Sequence, residues 1–295
     1  MVIDRLRPLL GSLLIVSLGL LPPSVGAEEA PAPRQGGVLE LSLPELVQVR
    51  VTSVTKKEQE LSHAPAAIFV LTGEDIRRSG VSSIPEALQM VPGISVAKMD
   101  NNTWTIASRG FKGRQKYANK LLVLMDGRTV YTSLFSGVNW ESQDTALYDI
   151  ERIEVIRGPG ASVWGANAVN GVINIITKSA AKTQGLKASV TTGTEDKALV
   201  SLRYGGEINE DTPYRIYAKY RNRDSSYVSA SQDGHDEYES GQMGFRIDST
   251  INSRAKLTVQ GDFYDSDVER SITTFESMTA PGPTVDLDTA DNSGG

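Results

Sequence analysis

One glycine-spaced loop and one carboxylate pair are the features of this sequence whose residue types and spacing could do chemistry. Gly160-Ala161-Ser162-Val163-Trp164-Gly165 has the glycine separation of a phosphate-cradling loop, but Ala166-Asn167 stands where that loop needs a lysine and a metal-binding hydroxyl. Counted from Gly158, a dinucleotide-binding pattern fails too, because Val163 occupies the third glycine position. Glu151 and Glu154 resemble an acid–base pair, yet in a strand residues three apart point to opposite faces and cannot share a site. The chain has no cysteine, which excludes a cysteine nucleophile and a thiolate metal site. Its two histidines, His63 and His235, fall in no metal-ligand spacing and read as ordinary polar residues. The expectation is therefore a protein that is not an enzyme, with no catalytic residue, no metal and no cofactor.

Other parts of the chain carry a stronger signal. Arg5 and Arg7 precede an apolar run over residues 9–21. As a helix this run would span ~20 Å, against roughly 30 Å of hydrocarbon in a bilayer. It reads as the core of a secretory signal peptide over residues 1–27, with Val25-Gly26-Ala27 supplying the small residues before the cut. No later stretch is apolar enough for a membrane-crossing helix, so an exported chain that spans a membrane must do so as a closed β-barrel. Charge divides the chain: residues 28–182 hold 17 Lys+Arg and 16 Asp+Glu, whereas residues 183–295 hold 11 and 19. No basic face with interleaved aromatics points to nucleic acid.

Residues 28–62 form an extension. It is rich in Ala, Pro, Glu and Gly at first; residues 45–54 then carry Val47, Val49 and Val51 at strand period, and 56–62 is a charged connector. Residues 66–98 spell strand, helix, helix, strand. Thr72 with Asp75 three residues on forms one helix start, and Gly80 closes that helix. Ser83-Ile84-Pro85-Glu86 starts the next, with Pro85 in its first turn, and Pro92-Gly93 ends it. Residues 104–111 and 121–125 read as strands, followed by the hairpin pair Asp126-Gly127. Residues 148–157 form a strand with two mixed faces, and 171–178 form another. Together these make a small α+β domain, bounded at 63–182.

After Lys182 the alternation becomes long. Leu186, Ala188 and Val190 oppose Lys187, Ser189 and Thr191; Val200, Leu202 and Tyr204 oppose Ser201 and Arg203. Tyr214, Ile216, Ala218 and Tyr220 oppose Arg215, Tyr217, Lys219 and Arg221, and two further segments end near Phe263. Apolar outside and charged inside, in about five strands, is the pattern of a transmembrane barrel. A soluble sandwich also alternates, so alternation alone does not decide. The signal peptide, the lack of cysteine, and Tyr204, Tyr214 and Tyr220 near strand ends favour the barrel.

Five marks in order resemble the plug of TonB-dependent outer-membrane receptors over residues 47–182. They are Ser108-Arg109-Gly110-Phe111, LLVLMDGR at 121–128, IERIEVIRG at 150–158, Trp164-Gly165-Ala166-Asn167, and NGVINIITK at 170–178. The resemblance implies an α+β plug domain followed by the N-terminal strands of an antiparallel transmembrane β-barrel of about 22 strands. On that reading most of the barrel would lie beyond Gly295. It also implies energy-coupled uptake of a scarce nutrient across the bacterial outer membrane, with a ferric siderophore first and cobalamin, haem, other metals or saccharides as alternatives. TonB, with its inner-membrane energising complex, would be the partner, along with outer-membrane lipid. A signal-transducing receptor would need a further folded domain ahead of its TonB box, for which residues 28–46 are too few.

By the same resemblance Val47, Gln48, Val49, Arg50 and Val51 are the TonB-box candidate, a β-branched strand able to add to a partner's sheet edge. Arg109 and Arg157 match plug arginines that face barrel carboxylates. If the strands at 104–111 and 121–125 are antiparallel neighbours, the loops at 99–103 and 129–144 share one end. That end would present Asn101, Asn102, Trp104, Tyr131, Phe135, Asn139 and Trp140 to a small molecule. With the first barrel strand rising from the periplasm, 193–196, 224–238 and the segment after Asp265 lie outside. Residues 205–213 and 249–254 are then periplasmic turns.

Overall fold

A computed structural model describes residues 50–51, 59–60, 67–110, 120–132, 137–165, 167–229, 232–252, 254–274 and 284–294. Arg50–Val51 (β1) pairs antiparallel with Gln59–Glu60 (β2). Ile68–Thr72 (β3) leads directly into helix Gly73–Ser79 (α1). Thr72 caps α1: its hydroxyl accepts from the Asp75 amide at 3.1 Å, and the Asp75 carboxylate accepts from the Thr72 amide at 3.0 Å. Gly80 ends α1 in the left-handed conformation, φ 73°. Helix Ile84–Leu88 (α2) is capped by Ser83 and carries Pro85 in its first turn, where a missing N–H is harmless. Both helix starts agree with the sequence reading.

Ile94–Lys98 (β4) pairs with Trp104–Ser108 (β5) in a sheet of their own. The second sheet contains Leu121–Met125 (β6), Arg128–Thr129 (β7), Ile150–Arg157 (β8) and Gly171–Thr177 (β9), in the order β3-β8-β9-β6-β7. Asp126 and Gly127 join β6 to β7 with φ 47° and 82°, the two positive values that a tight primed turn requires. β6 runs parallel to β9, so β5 and β6 are not the antiparallel neighbours that their succession in the chain suggested. The central strands are covered on both faces. Ile76, Ile84, Leu88, Val123, Ile153, Val155, Ile173 and Ile175 share one cluster with Trp104 and Trp140, while Leu122, Leu124, Ile156 and Val172 form another. Burial on both sides explains why 148–157 shows no clean amphipathic face.

A short 3₁₀ turn, Ala180–Thr183, leads into a large antiparallel sheet. Its strands are Gly185–Thr191 (β10), Asp196–Asn209 (β11), Thr212–Arg223 (β12), Tyr238–Asn252 (β15), Ala255–Thr274 (β16) and Thr284–Gly294 (β17). A small hairpin, Tyr227–Ser229 (β13) with Gln232–Asp233 (β14), lies between β12 and β15. Among the described residues the sheet thus has six strands rather than about five. The last was missed because TVDLDTADNSG alternates apolar with acidic residues only from Val285 to Asp288 and is polar or small after that. The turn expected at 205–213 is also shorter, since β11 and β12 pair as far as Asn209 and Thr212.

Candidate functional site: the interface between the domain and the sheet

Strand geometry turns alternate residues of β12 to opposite sides. Ile216 and Tyr220 are 51% and 39% exposed, whereas Arg215, Lys219, Arg221 and Arg223 are all 7% exposed or less. A soluble sheet buries its apolar row; here the cationic row is buried and the apolar row faces out, continued by Val200, Leu202, Met243 and Phe263. That inversion suits a wall with lipid on one side and a filled polar lumen on the other. Among the described residues no helix is long and apolar enough to cross a membrane.

The buried cations have partners across the interface, as burial of charge demands. Arg215 donates to the Lys178 carbonyl at 2.6 Å and to the Thr177 hydroxyl at 2.7 Å. Arg203 of β11 donates to Asp149 at 3.2 Å. Lys219 binds the Asp144 carboxylate and the Thr145 carbonyl, the latter at 3.0 Å. Arg221 reaches the Ser82 carbonyl, and Arg223 the Asn101 carbonyl at 3.1 Å. From β15, Arg246 donates to Thr177 at 3.2 Å and lies 3.6 Å from Asp126, while Asp248 accepts from the Ala180 amide at 2.7 Å.

Electrostatics differ between the two acidic partners within the domain. Burial pushes the Asp144 carboxyl up, but Lys219 and Arg221 overcome it and hold the group below the usual carboxylate range. At Asp149 burial wins: its carboxyl is raised although Arg215, Arg203, Lys178 and Lys187 all favour the charged form. Lys178 is depressed by burial and by repulsion from Lys187. On the exposed surface of α1, hydrogen bonds from Arg77 and Arg78 hold Glu74 at about 2.

At the opposite end from the Asp126 turn, Asp100 shapes the 99–103 turn by accepting from the Asn102 and Thr103 amides at 3.1 and 2.6 Å. Asn101, Asn102, Trp104 and Trp140 line one cleft with Arg221, Arg223 and Tyr238. All four are nearly buried. The family model of the TonB-dependent Receptor Plug Domain matches residues 60–172. The chain carries a TonB-dependent receptor plug domain.

The large sheet that follows it has the antiparallel strands of a partial barrel. The ferripyoverdine receptor of the Pseudomonas aeruginosa outer membrane, solved bound to ferripyoverdine, superposes with a TM-score of 0.60 at 21% identity, covering 75% of this chain and 28% of that one. The ferric enterobactin receptor PirA of the same organism is 27% identical over 249 residues, which is 72% of this chain and 33% of the relative. The vitamin B12 transporter BtuB of Vibrio vulnificus is 31% identical over 147 residues, 49% of this chain and 23% of the relative. The chain thus spans a third or less of the length of these relatives.

The plug places the remaining sequence-derived candidates in different surroundings. Asn139 is half-buried, and its carbonyl accepts from Ser142. Tyr131 packs against the second apolar cluster with Leu122, Leu124 and Ile156, away from the cleft. Phe135 lies outside the described residues, as do Val47, Gln48 and Val49; Arg50 and Val51 form β1. Arg109, at φ 54°, donates to the Arg157 carbonyl at 2.6 Å, and Arg157 donates to the Pro92 carbonyl at 3.1 Å. These two arginines hold plug carbonyls. Glu151 and Glu154 do share a partner: Arg152 lies 3.5 Å and 2.8 Å from them, beside a register shift in β8. The cations of β11, β12 and β15 were not singled out from sequence. Their period-two row in Arg215, Lys219, Arg221 and Arg223 was the signal that could have found them.

Proposed function

We propose that this chain is the plug and first wall strands of an energy-coupled importer in the bacterial outer membrane, with a ferric siderophore as cargo. The observation that carries the reading is the cationic row of β12, buried against the plug while its apolar row faces out. A wall filled in this way serves a transporter that must stay closed until it is energised. Likeness to the ferric enterobactin receptor PirA over 72% of the chain supports an iron chelate. Higher identity to BtuB over a shorter span supports cobalamin as the second reading.

In this proposal cargo meets the plug at the 99–103 end, and TonB engages Val47–Val51 from the periplasm by adding a strand. Residues 193–196 and 224–237 face the exterior, and the tight turns after Asn209 and Asn252 face the periplasm. The test is uptake in cells that depend on the receptor carrying this chain, comparing labelled ferric catecholate, ferric hydroxamate and cobalamin. Iron-chelate uptake that is lost on deleting the receptor supports the proposal. Cobalamin uptake alone replaces it with the second reading, and no energised uptake of any of them refutes it.

A further inference from the structure

Three cations crowd around Tyr148, which stands immediately before β8. Lys187 of β10 places its ammonium 4.5 Å from the ring centroid, and the Arg203 guanidinium of β11 lies 6.0 Å from it. The Lys178 ammonium donates to the Tyr148 carbonyl at 2.8 Å. Lys187 and Arg203 are direct cross-strand partners, an arrangement in which like charges repel. Arg215 is a fourth cation of the group, and Asp149 is the carboxylate on which all four act. Glu151, the next acid along, is taken by Lys182 at 3.0 Å and Arg152 at 3.5 Å. Among the described residues, positive charge at this junction therefore exceeds negative. The Nε groups of Arg203 and Arg215 are also buried there and donate to no described acceptor, in side chains of residues only 7% and 4% exposed.

We infer that Lys178, Lys187 and Arg203 form an oxyanion site at the junction of plug and sheet, filled by a phosphate-class anion from the surrounding water. Two ammoniums supply charge and a guanidinium N–H supplies direction, a donor set suited to a tetrahedral oxyanion. Asp149 engages Arg203 through the terminal nitrogen Nη1 at 3.2 Å, which leaves Nε for the anion. An anion here offsets the repulsion between Lys187 and Arg203 and the repulsion that depresses Lys178. Arg215 and Arg223 lie toward opposite ends of β12, so this site is remote from the cleft at the 99–103 turn. It does not depend on which nutrient the receptor imports.

The test is equilibrium dialysis of the purified, detergent-solubilised receptor carrying this chain against radiolabelled inorganic phosphate. Ionic strength is held fixed, because salt screens every exposed cation. Saturable binding at a single site is expected. Lys187 is exposed, so Lys187→Met leaves the fold intact, and it should weaken binding by about tenfold or more through loss of one charge-assisted hydrogen bond. Lys187→Arg should retain most of the affinity. Lys197→Met, at an exposed lysine paired with Asp224, should change nothing. Asp149→Asn gives the decisive sign: removing a competing carboxylate should tighten phosphate binding, whereas a purely structural role for Asp149 would weaken it. Absence of saturable binding overturns the inference, the cations then being matched by the receptor's own carboxylates. Binding that survives Lys187→Met unchanged, or that Asp149→Asn weakens, overturns it as well.

Discussion

Replacing Lys219 with methionine keeps the apolar stem and deletes the ammonium that binds Asp144 and the Thr145 carbonyl. Breaking a buried ion pair from one side typically costs about 3–5 kcal/mol, because the other charge is left without its partner. The Asp144 side chain retains 21% exposure, so water recovers part of that loss, and the expected destabilisation is about 2–3 kcal/mol. Asp144→Asn in the same background removes the stranded charge. The double variant should then recover a coupling of about 1–2 kcal/mol relative to the sum of the singles. Trp104 and Trp140 sit in the plug core, so denaturant unfolding of the receptor in detergent can be followed by their fluorescence. The pH dependence has a definite sign. The Asp144 carboxyl is held low in the folded plug, so its contribution is present above the ordinary aspartate pKa and is lost as pH falls through the folded value. The Lys219→Met penalty should therefore shrink in acid. Strict additivity of the two substitutions, or a penalty unchanged between neutral and acid pH, would refute the reasoning.

Asp149 should behave in the opposite sense. Its carboxyl is raised by burial, so its contribution is full below the ordinary aspartate pKa and is lost as pH rises through the folded value; Asp149→Asn should cost less at neutral pH than Asp144→Asn, measured by the same unfolding. Gly171→Ala should destabilise the plug by more than about 2 kcal/mol, because φ is 153° and the added methyl would lie 2.5 Å from the Ile156 carbonyl; a near-neutral thermal shift would contradict this. Val49→Pro should abolish energised uptake while sparing surface binding, and Val49→Ala should be milder, since proline removes the amide donor that strand addition uses. Tags after residue 233 should be accessible on intact cells, and tags after residue 210 should not; the reverse pattern would invert the proposed orientation.

Local physics made much of the fold legible. The Thr72–Asp75 capping box, the Ser83 cap with Pro85, the Gly80 stop and the Asp126-Gly127 turn all depend on residues within four positions of one another. The alternation in β11, β12, β15 and β16 depends only on a period of two. Pairing partners were less accessible. β6 joins β9 in parallel across some fifty residues of chain, and β5 turns back to β4. Nothing in LLVLM distinguishes a parallel neighbour from an antiparallel one, because both demand a short apolar run.

The sequence by itself determined that the chain combines a small α+β domain with long strands of inward charge and outward apolar surface, and which family its motifs resemble. Only the tertiary structure decided what each inward charge holds. Arg215, Lys219, Arg221 and Arg223 bind the carbonyls of Lys178, Thr145, Ser82 and Asn101, and a backbone carbonyl is the same group whatever residue bears it. A sequence can announce that a buried cation needs an acceptor. It cannot name a main-chain acceptor, because that choice is made by where the folded plug brings its turns against the wall.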